Sequence, residues 1–249
     1  MKERLFNIEV DNITMDECVE KIDYLISSKK KGYVVTPNVD HIVKLQEDKE
    51  FRSVYKSADL VVADGMPLIW YSKLIRRPLK EKISGSDLFP KICELASKKN
   101  YSIFLLGAKE GVALEAAKKL QDKYKGLKIA GCYSPPFGFE KNISELKKII
   151  KIINDSNAEI LAVGLGAPKQ EKFIYRNINE LNVLISLAIG ATIDFEAGNI
   201  KRAPKWMQRC GLEWFYRFLM DPKRLFKRYF IEDIKFISIV FRDIFLKNK

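Results

Sequence analysis

The feature that most constrains this chain is a repeated alternation. Short, mainly apolar runs end in polar or glycine-rich turns, and most are followed by an amphipathic stretch of roughly three to four helical turns. The runs are GYVVT (32–36), DLVVA (59–63) and residues 101–106, 127–132, 159–163 and 183–188, preceded by a first short strand at Leu5–Val10. A strand apolar at consecutive positions is buried on both faces. Parallel strands have that character, because the crossover helix between each pair covers the sheet. The pattern therefore predicts an α/β fold: a Rossmann-like, mostly parallel sheet with helices on both faces. Helices are predicted over 14–28, 38–56, 67–75, 86–99, 112–124, 144–154 and 169–177. Thr14 and Glu17 have the spacing of a capping box. The paired prolines of YSPPFGF (133–139) make that segment a loop.

Charge divides the chain. Of the net +12, the segment 198–249 carries +8, with thirteen Lys/Arg against five Asp/Glu, and it holds eleven of the 28 aromatic residues. Two units are therefore predicted: a Rossmann-like domain over 1–197, and a C-terminal basic amphipathic helical appendage over 198–249. The appendage reads as two or three helices. Trp206, Cys210, Trp214, Phe218 and Leu219 recur at helical spacing, Leu225, Tyr229, Ile231, Phe236 and Val240 continue the apolar face, and Arg209, Lys223 and Lys227 are among its cations. Basic helices with aromatic faces suit an anionic membrane surface. The alternative is that the stripe packs on the body or on another subunit. A nucleic-acid-binding module is the rival of another class, and the near-balanced body and amphipathic spacing argue against it.

No apolar run reaches the roughly 18 residues that span a bilayer, and the N-terminus has no secretory h-region. The four scattered cysteines lack a CxxC pair and read as reduced thiols. The expectation is a cytoplasmic protein, peripheral on the inner face of the cell membrane. A single histidine, His41, excludes a multi-histidine zinc site, and it is predicted to be structural.

Ligands of open parallel sheets bind beyond the carboxyl ends of the strands. The residues there are Thr36 and Asn38, Asp64, Gly107, Tyr133, the turn Gly164–Gln170 with Gly166 and Lys169, and Gly190–Thr192 followed by Asp194. The Gly164–Gln170 turn joins a strand to a helix and suits a diphosphate, or is simply a tight turn. It has neither the P-loop spacing nor GxGxxG, which argues against a P-loop ATPase and a standard NAD dehydrogenase. Asp64 is a candidate general base, or a turn-former. Thr36 and Asn38 are candidates for substrate contact, or helix caps. No Asp-x-Asp occurs, so no metal held by that motif is expected.

In order along the chain, VVTPNVDHIV (34–43), ADLVVADGMPLIW (58–70), ISGSDLF (83–89), FLLGAKEG (104–111), GLGAPKQE (164–171) and IGATIDFEAGNIKRAP with Trp206 (189–206) resemble the WecG/TagA/CpsF family of bacterial glycosyltransferases. The resemblance implies an inverting, metal-independent transfer from a UDP-sugar to a polyprenyl-diphosphate-linked acceptor such as GlcNAc-PP-undecaprenol. The first expectation is TagA-like transfer of N-acetylmannosamine in teichoic acid or other cell-surface polysaccharide synthesis. UDP-glucose or UDP-N-acetylmannosaminuronate is the alternative donor. No cofactor is expected, and a homo-oligomer is left open. By the same resemblance Asp64 is the base, Thr36 and Asn38 line the sugar pocket, Gln170 contacts the donor, and Asp194 with the Tyr133 loop holds the uridine. Without a metal, the leaving UDP needs other positive charge. Arg217, Arg224 and Arg228 of the appendage are expected to supply it by folding over the crevice.

Overall fold

A computed structural model describes residues 1–246. Six strands form one sheet, all parallel: β3 (Gly32–Val35), β4 (Leu60–Val61), β5 (Ser102–Gly107), β6 (Lys128–Tyr133), β7 (Ile160–Gly164) and β8 (Ile185–Ala188), in the order β4-β3-β8-β7-β5-β6. Alternate residues feed two cores, as a pleated strand requires. Ile103 and Leu105 of β5 pack into one, and Phe104 and Leu106 into the other. Helices α1 (Met15–Ser27), α5 (Gly85–Lys99) and α6 (Val112–Lys123) cover the first face. The second carries α2 (Val39–Glu47), α3 (Lys49–Ser57), α4 (Met66–Leu74), α7 (Ile143–Asp155) and α8 (Lys169–Asn177). The expected fold class is the observed one.

Three local expectations are corrected. The single strand at Leu5–Val10 is a hairpin, β1 (Lys2–Leu5) with β2 (Ile8–Asp11), turning through Phe6 and Asn7. Both turn residues have positive φ (48° and 71°), the geometry that matches the twist of a two-residue hairpin. The predicted helix 38–56 is two helices. Asp48 lies between them in an extended conformation, and its carboxylate accepts the Phe51 N–H at 2.9 Å and holds Lys172 at 2.6 Å. The α1 capping box forms as expected, with Glu17 N–H donating to Thr14 Oγ1 at 3.3 Å and Thr14 N–H to Glu17 Oε2 at 2.7 Å.

The third correction concerns the appendage. After α9 (Thr192–Glu196) come α10 (Lys205–Arg209), α11 (Glu213–Met220), α12 (Pro222–Lys227), a π-turn at Arg228–Glu232 and α13 (Lys235–Leu246). The expected continuous apolar face is split in two. Leu225 and Ile239 are buried, and Phe236 and Val240 pack beside Ile239 on the body core, with Phe236 against Phe6. Trp206, Leu219, Phe226, Phe230, Ile231, Ile237, Phe241 and Phe245 stay exposed. Among the described residues no helix is long and apolar enough to cross a membrane.

Helix α4 ends in a Schellman motif. The Arg76 N–H donates to the Lys73 carbonyl and the Arg77 N–H to the Ser72 carbonyl, with Arg76 in the left-handed region (φ 58°) where glycine is usual.

Candidate active site

Neighbouring strands β4 and β3 deliver their carboxyl ends to one crevice. The Asp64 N–H donates to the Pro37 carbonyl at 2.8 Å, which fixes the turn carrying Asp64 beside the one carrying Asn38. Asn38 caps α2, accepting the His41 N–H at 3.3 Å. A cavity of about 440 Å³ opens there. Asn38, Asp40, Asp64, Lys82 and Ser84 of the body line one side, and Glu213, Trp214, Arg217, Arg228 and Asp233 of the appendage line the other.

Burial pushes the Asp64 carboxyl up to about 7; Glu213 and Asp87 push the same way, and Lys82 and Arg217 oppose them. A carboxyl poised near neutrality in a cleft is suited to accept a proton. Beside it, Asp87 gathers Lys82 at 2.7 Å, Ser84 Oγ at 2.7 Å and Arg202 at 2.7 Å. Arg202 also reaches Glu213 at 3.5 Å, tying α11 to the body.

On the body side Asp40, a buried carboxylate, holds Lys44 at 2.7 Å and reaches the Arg228 guanidinium of the appendage at 3.5 Å. Arg228 also faces Asp233 at 3.8 Å, yet its Nε and Asp233 Oδ1 are buried without a hydrogen-bond partner. Unmet buried donors are rare in folded proteins and mark a place where a ligand group fits. Burial raises Asp233 to about 6.

The other residues singled out from sequence lie outside this cavity's lining; Gly107, Tyr133 and the Gly164–Gln170 turn stand at the ends of β5, β6 and β7, Thr36 at the end of β3, Asp194 on α9 and Arg224 on α12. Gly107 and Gly164 are packing glycines: a Cβ on Gly107 would lie 2.3 Å from the Gly164 carbonyl oxygen, and one on Gly164 2.7 Å from that of Gly190. Gly166 (φ 77°) faces open space. Gln170 is buried, accepting the Gly190 N–H at 3.1 Å and donating to Glu171 at 2.7 Å. Lys169 pairs with Glu140 at 2.9 Å. The Tyr133 hydroxyl donates to Glu145 and accepts from Lys148 at 2.9 Å. Asp194 is half-buried on α9, raised by burial and opposed by Lys109 and Arg224. Arg224 itself is paired with Asp221 on the surface. Thr36 is buried, its backbone hydrogen-bonded to the His41 ring.

His41 is structural, as expected. Burial lowers it to about 3, and its Nδ1 meets the Tyr55 hydroxyl at 2.8 Å. Glu171, 3.9 Å from His41 Nε2, is raised by burial to about 7. Between those values both groups are neutral, so the contact is not an ion pair.

Sequence reasoning missed Asp40, Lys82, Arg202 and Glu213. Asp40 and Arg202 stand inside strings that carried the family resemblance, and Lys82 directly precedes another, so a signal was present.

Residues 3–249 match the family model described as "Glycosyl transferase WecG/TagA/CpsF family". An enzyme of Bacillus subtilis (strain 168) named N-acetylglucosaminyldiphosphoundecaprenol N-acetyl-beta-D-mannosaminyltransferase is 32% identical over 223 residues, covering 89% of this chain and 85% of its own. Enzymes of the same name from Bacillus spizizenii (31% over 199 residues; 80% and 75% covered) and Staphylococcus aureus strain MW2 (28% over 223 residues; 89% and 85%) are also similar. With the match running through both the strand-end residues and the helices that close over them, the chain belongs to the WecG/TagA/CpsF family of glycosyltransferases.

Proposed function

We propose that the enzyme moves N-acetylmannosamine from a UDP-sugar to GlcNAc-diphosphoundecaprenol, or a closely related polyprenyl-diphosphate sugar, in teichoic acid or other cell-surface polysaccharide synthesis. The observation that carries the proposal is the 440 Å³ cavity, with a carboxyl of pKa about 7 on one wall and two arginines on the other. It is supported by the activity for which relatives that share most of the chain are named. Asp64 takes the proton of the acceptor hydroxyl as that oxygen attacks the anomeric carbon. The bond from that carbon to the UDP oxygen breaks on the opposite face, UDP leaves with the electron pair, and the configuration inverts. Arg217 and Arg228 face the charge that develops on a diphosphate, with no metal required. Asn38 contacts a sugar, and Asp40 keeps Arg228 aimed into the cavity.

The exposed aromatic face of α11–α13 lies around the cavity that Trp214, Phe230 and Ile237 help to line. Docking of that face on the inner leaflet places a lipid-linked acceptor at the entrance.

Two measurements test this. A panel of UDP-sugars offered with a short-chain polyprenyl-diphosphate GlcNAc should release UDP fastest from UDP-N-acetylmannosamine; faster release from UDP-glucose would replace the donor. Phe241→Ser with Phe245→Ser should weaken sedimentation with anionic vesicles by about tenfold or more, since each ring contributes on the order of 1.5 kcal/mol of burial. Unchanged sedimentation would remove the membrane role of α13.

A further inference from the structure

A second cavity, of about 540 Å³, lies across α4 from the candidate active site, between the hairpin turn, the end of α4 and α13. Arg4 of β1 and the consecutive Arg76 and Arg77 ring it, with Phe6, Leu74 and Ile244 among its apolar walls. We propose that this cavity binds a phosphate group, and that the group is the headgroup phosphate of an anionic phospholipid. Its lipid source rests on the peripheral docking proposed above; the phosphate site stands on its own geometry.

Three observations lead there. Among the described residues, none of the three guanidiniums gathered at this one cavity is paired with a carboxylate. The one carboxylate in the wall, Asp243, is engaged by the Tyr71 hydroxyl. Guanidinium forks are the side-chain geometry that matches phosphate oxygens.

The second observation is conformational. Arg76 occupies the left-handed position that closes the α4 Schellman motif, where glycine fits without strain. An arginine there brings charge to the cavity at the expense of local backbone comfort, and strain of that kind is a pointer to function.

The third is what surrounds the cations. Leu74 on the cavity wall is 64% exposed, and α13, which supplies Asp243 and Ile244 to the cavity, presents Ile237, Phe241 and Phe245 at four-residue spacing to solvent. A cationic hollow beside an exposed apolar stripe matches a phosphate group with acyl chains next to it, and not a free anion alone.

The test compares the full chain with a variant carrying Arg4→Gln, Arg76→Gly and Arg77→Gln. Arg76→Gly relieves the left-handed strain, so a thermal midpoint equal to or above that of the parent shows the fold is kept. On vesicles containing phosphatidylglycerol, the parent should bind roughly a hundredfold tighter than the variant, at about fivefold per basic residue near an anionic surface. On phosphatidylcholine vesicles the two should match. Transfer to a water-soluble acceptor should be equal in both. Inorganic phosphate, titrated without vesicles, should raise the parent's midpoint saturably and leave the variant's unmoved. If the parent binds no vesicle but keeps the arginine-dependent phosphate response, the site stands, its source is free phosphate, and the peripheral reading fails. Equal binding to phosphatidylglycerol together with an equal phosphate response in the folded variant overturns the site.

Discussion

Replacing Asp64 with asparagine is expected to lower sugar transfer by about 10²–10⁴-fold, the span of a lost general base, while UDP binding stays largely intact. Asparagine keeps the shape and the hydrogen-bonding reach but cannot take a proton. The parent's rate should rise with pH through about 7, where the raised carboxyl loses its proton, and that limb should vanish in the variant. Stability should move the other way. The folded carboxyl keeps its proton up to about 7, while in the unfolded chain it titrates near 3.8. The folded state therefore binds more protons between those values, and the native protein loses stability as pH climbs from about 4 to 7. Asparagine removes that loss, so at pH 8 the variant should be the more stable protein, by on the order of 2 kcal/mol after allowing for water in the open crevice. Denaturant titration at pH 5 and pH 8, beside a turnover profile, checks both halves. Near-normal turnover would end the assignment of Asp64 as base. A variant less stable at pH 8 would show that its loss of activity comes from damage to the fold.

Gly107→Ala is expected to cost roughly 3–5 kcal/mol, with a fall in midpoint on the order of 10 °C. The added methyl would sit 2.3 Å from the Gly164 carbonyl oxygen, where only backbone can give way, and φ at Gly107 is +124°. Gly111→Ala is the comparison. It also has positive φ (+81°) but nothing within 4 Å, so its cost should be about 1 kcal/mol. If the two alanines cost the same, the backbone conformation and not the close approach of β5 to β7 is what demands glycine at Gly107.

The sheet was legible because its strands carry runs of consecutive apolar residues and end on polar or glycine-rich turns. What escaped reading depends on contacts distant in sequence. Phe6-Asn7 lacks the Asn-Gly or Asp-Gly signature of a tight hairpin, and Phe6 is accommodated because its ring stacks on Tyr71 with centroids 3.9 Å apart. The break at Asp48 has a capping residue but no proline or glycine, and its carboxylate takes Lys172 from α8. The appendage residues that turn inward, Leu225 and Ile239, look no different in sequence from Phe241 and Phe245, which turn outward.

Asp64 and Asn38 stand out in sequence because a strand end is a place to look, and both line the cavity. Asp40 meets Arg228 and Arg202 meets Asp87, partners that sequence spacing does not bring together. On sequence alone the turn that begins at Gly164 suits a diphosphate or a tight turn; the contact that sequence does not reveal is neighbouring backbone where a Cβ on Gly107 or Gly164 would lie.

The division of the cavity wall also orders events during synthesis. Every strand of the sheet precedes Arg217 and Arg228 in the chain, so the part that carries Asp64 emerges from the ribosome first. Domains fold largely as they emerge. A nascent chain halted after β8 would hold the Asp64 carboxyl open to water, with the wall that carries Arg217 and Arg228 not yet made. Translation itself then completes the cavity last, when the helices that close it have been made.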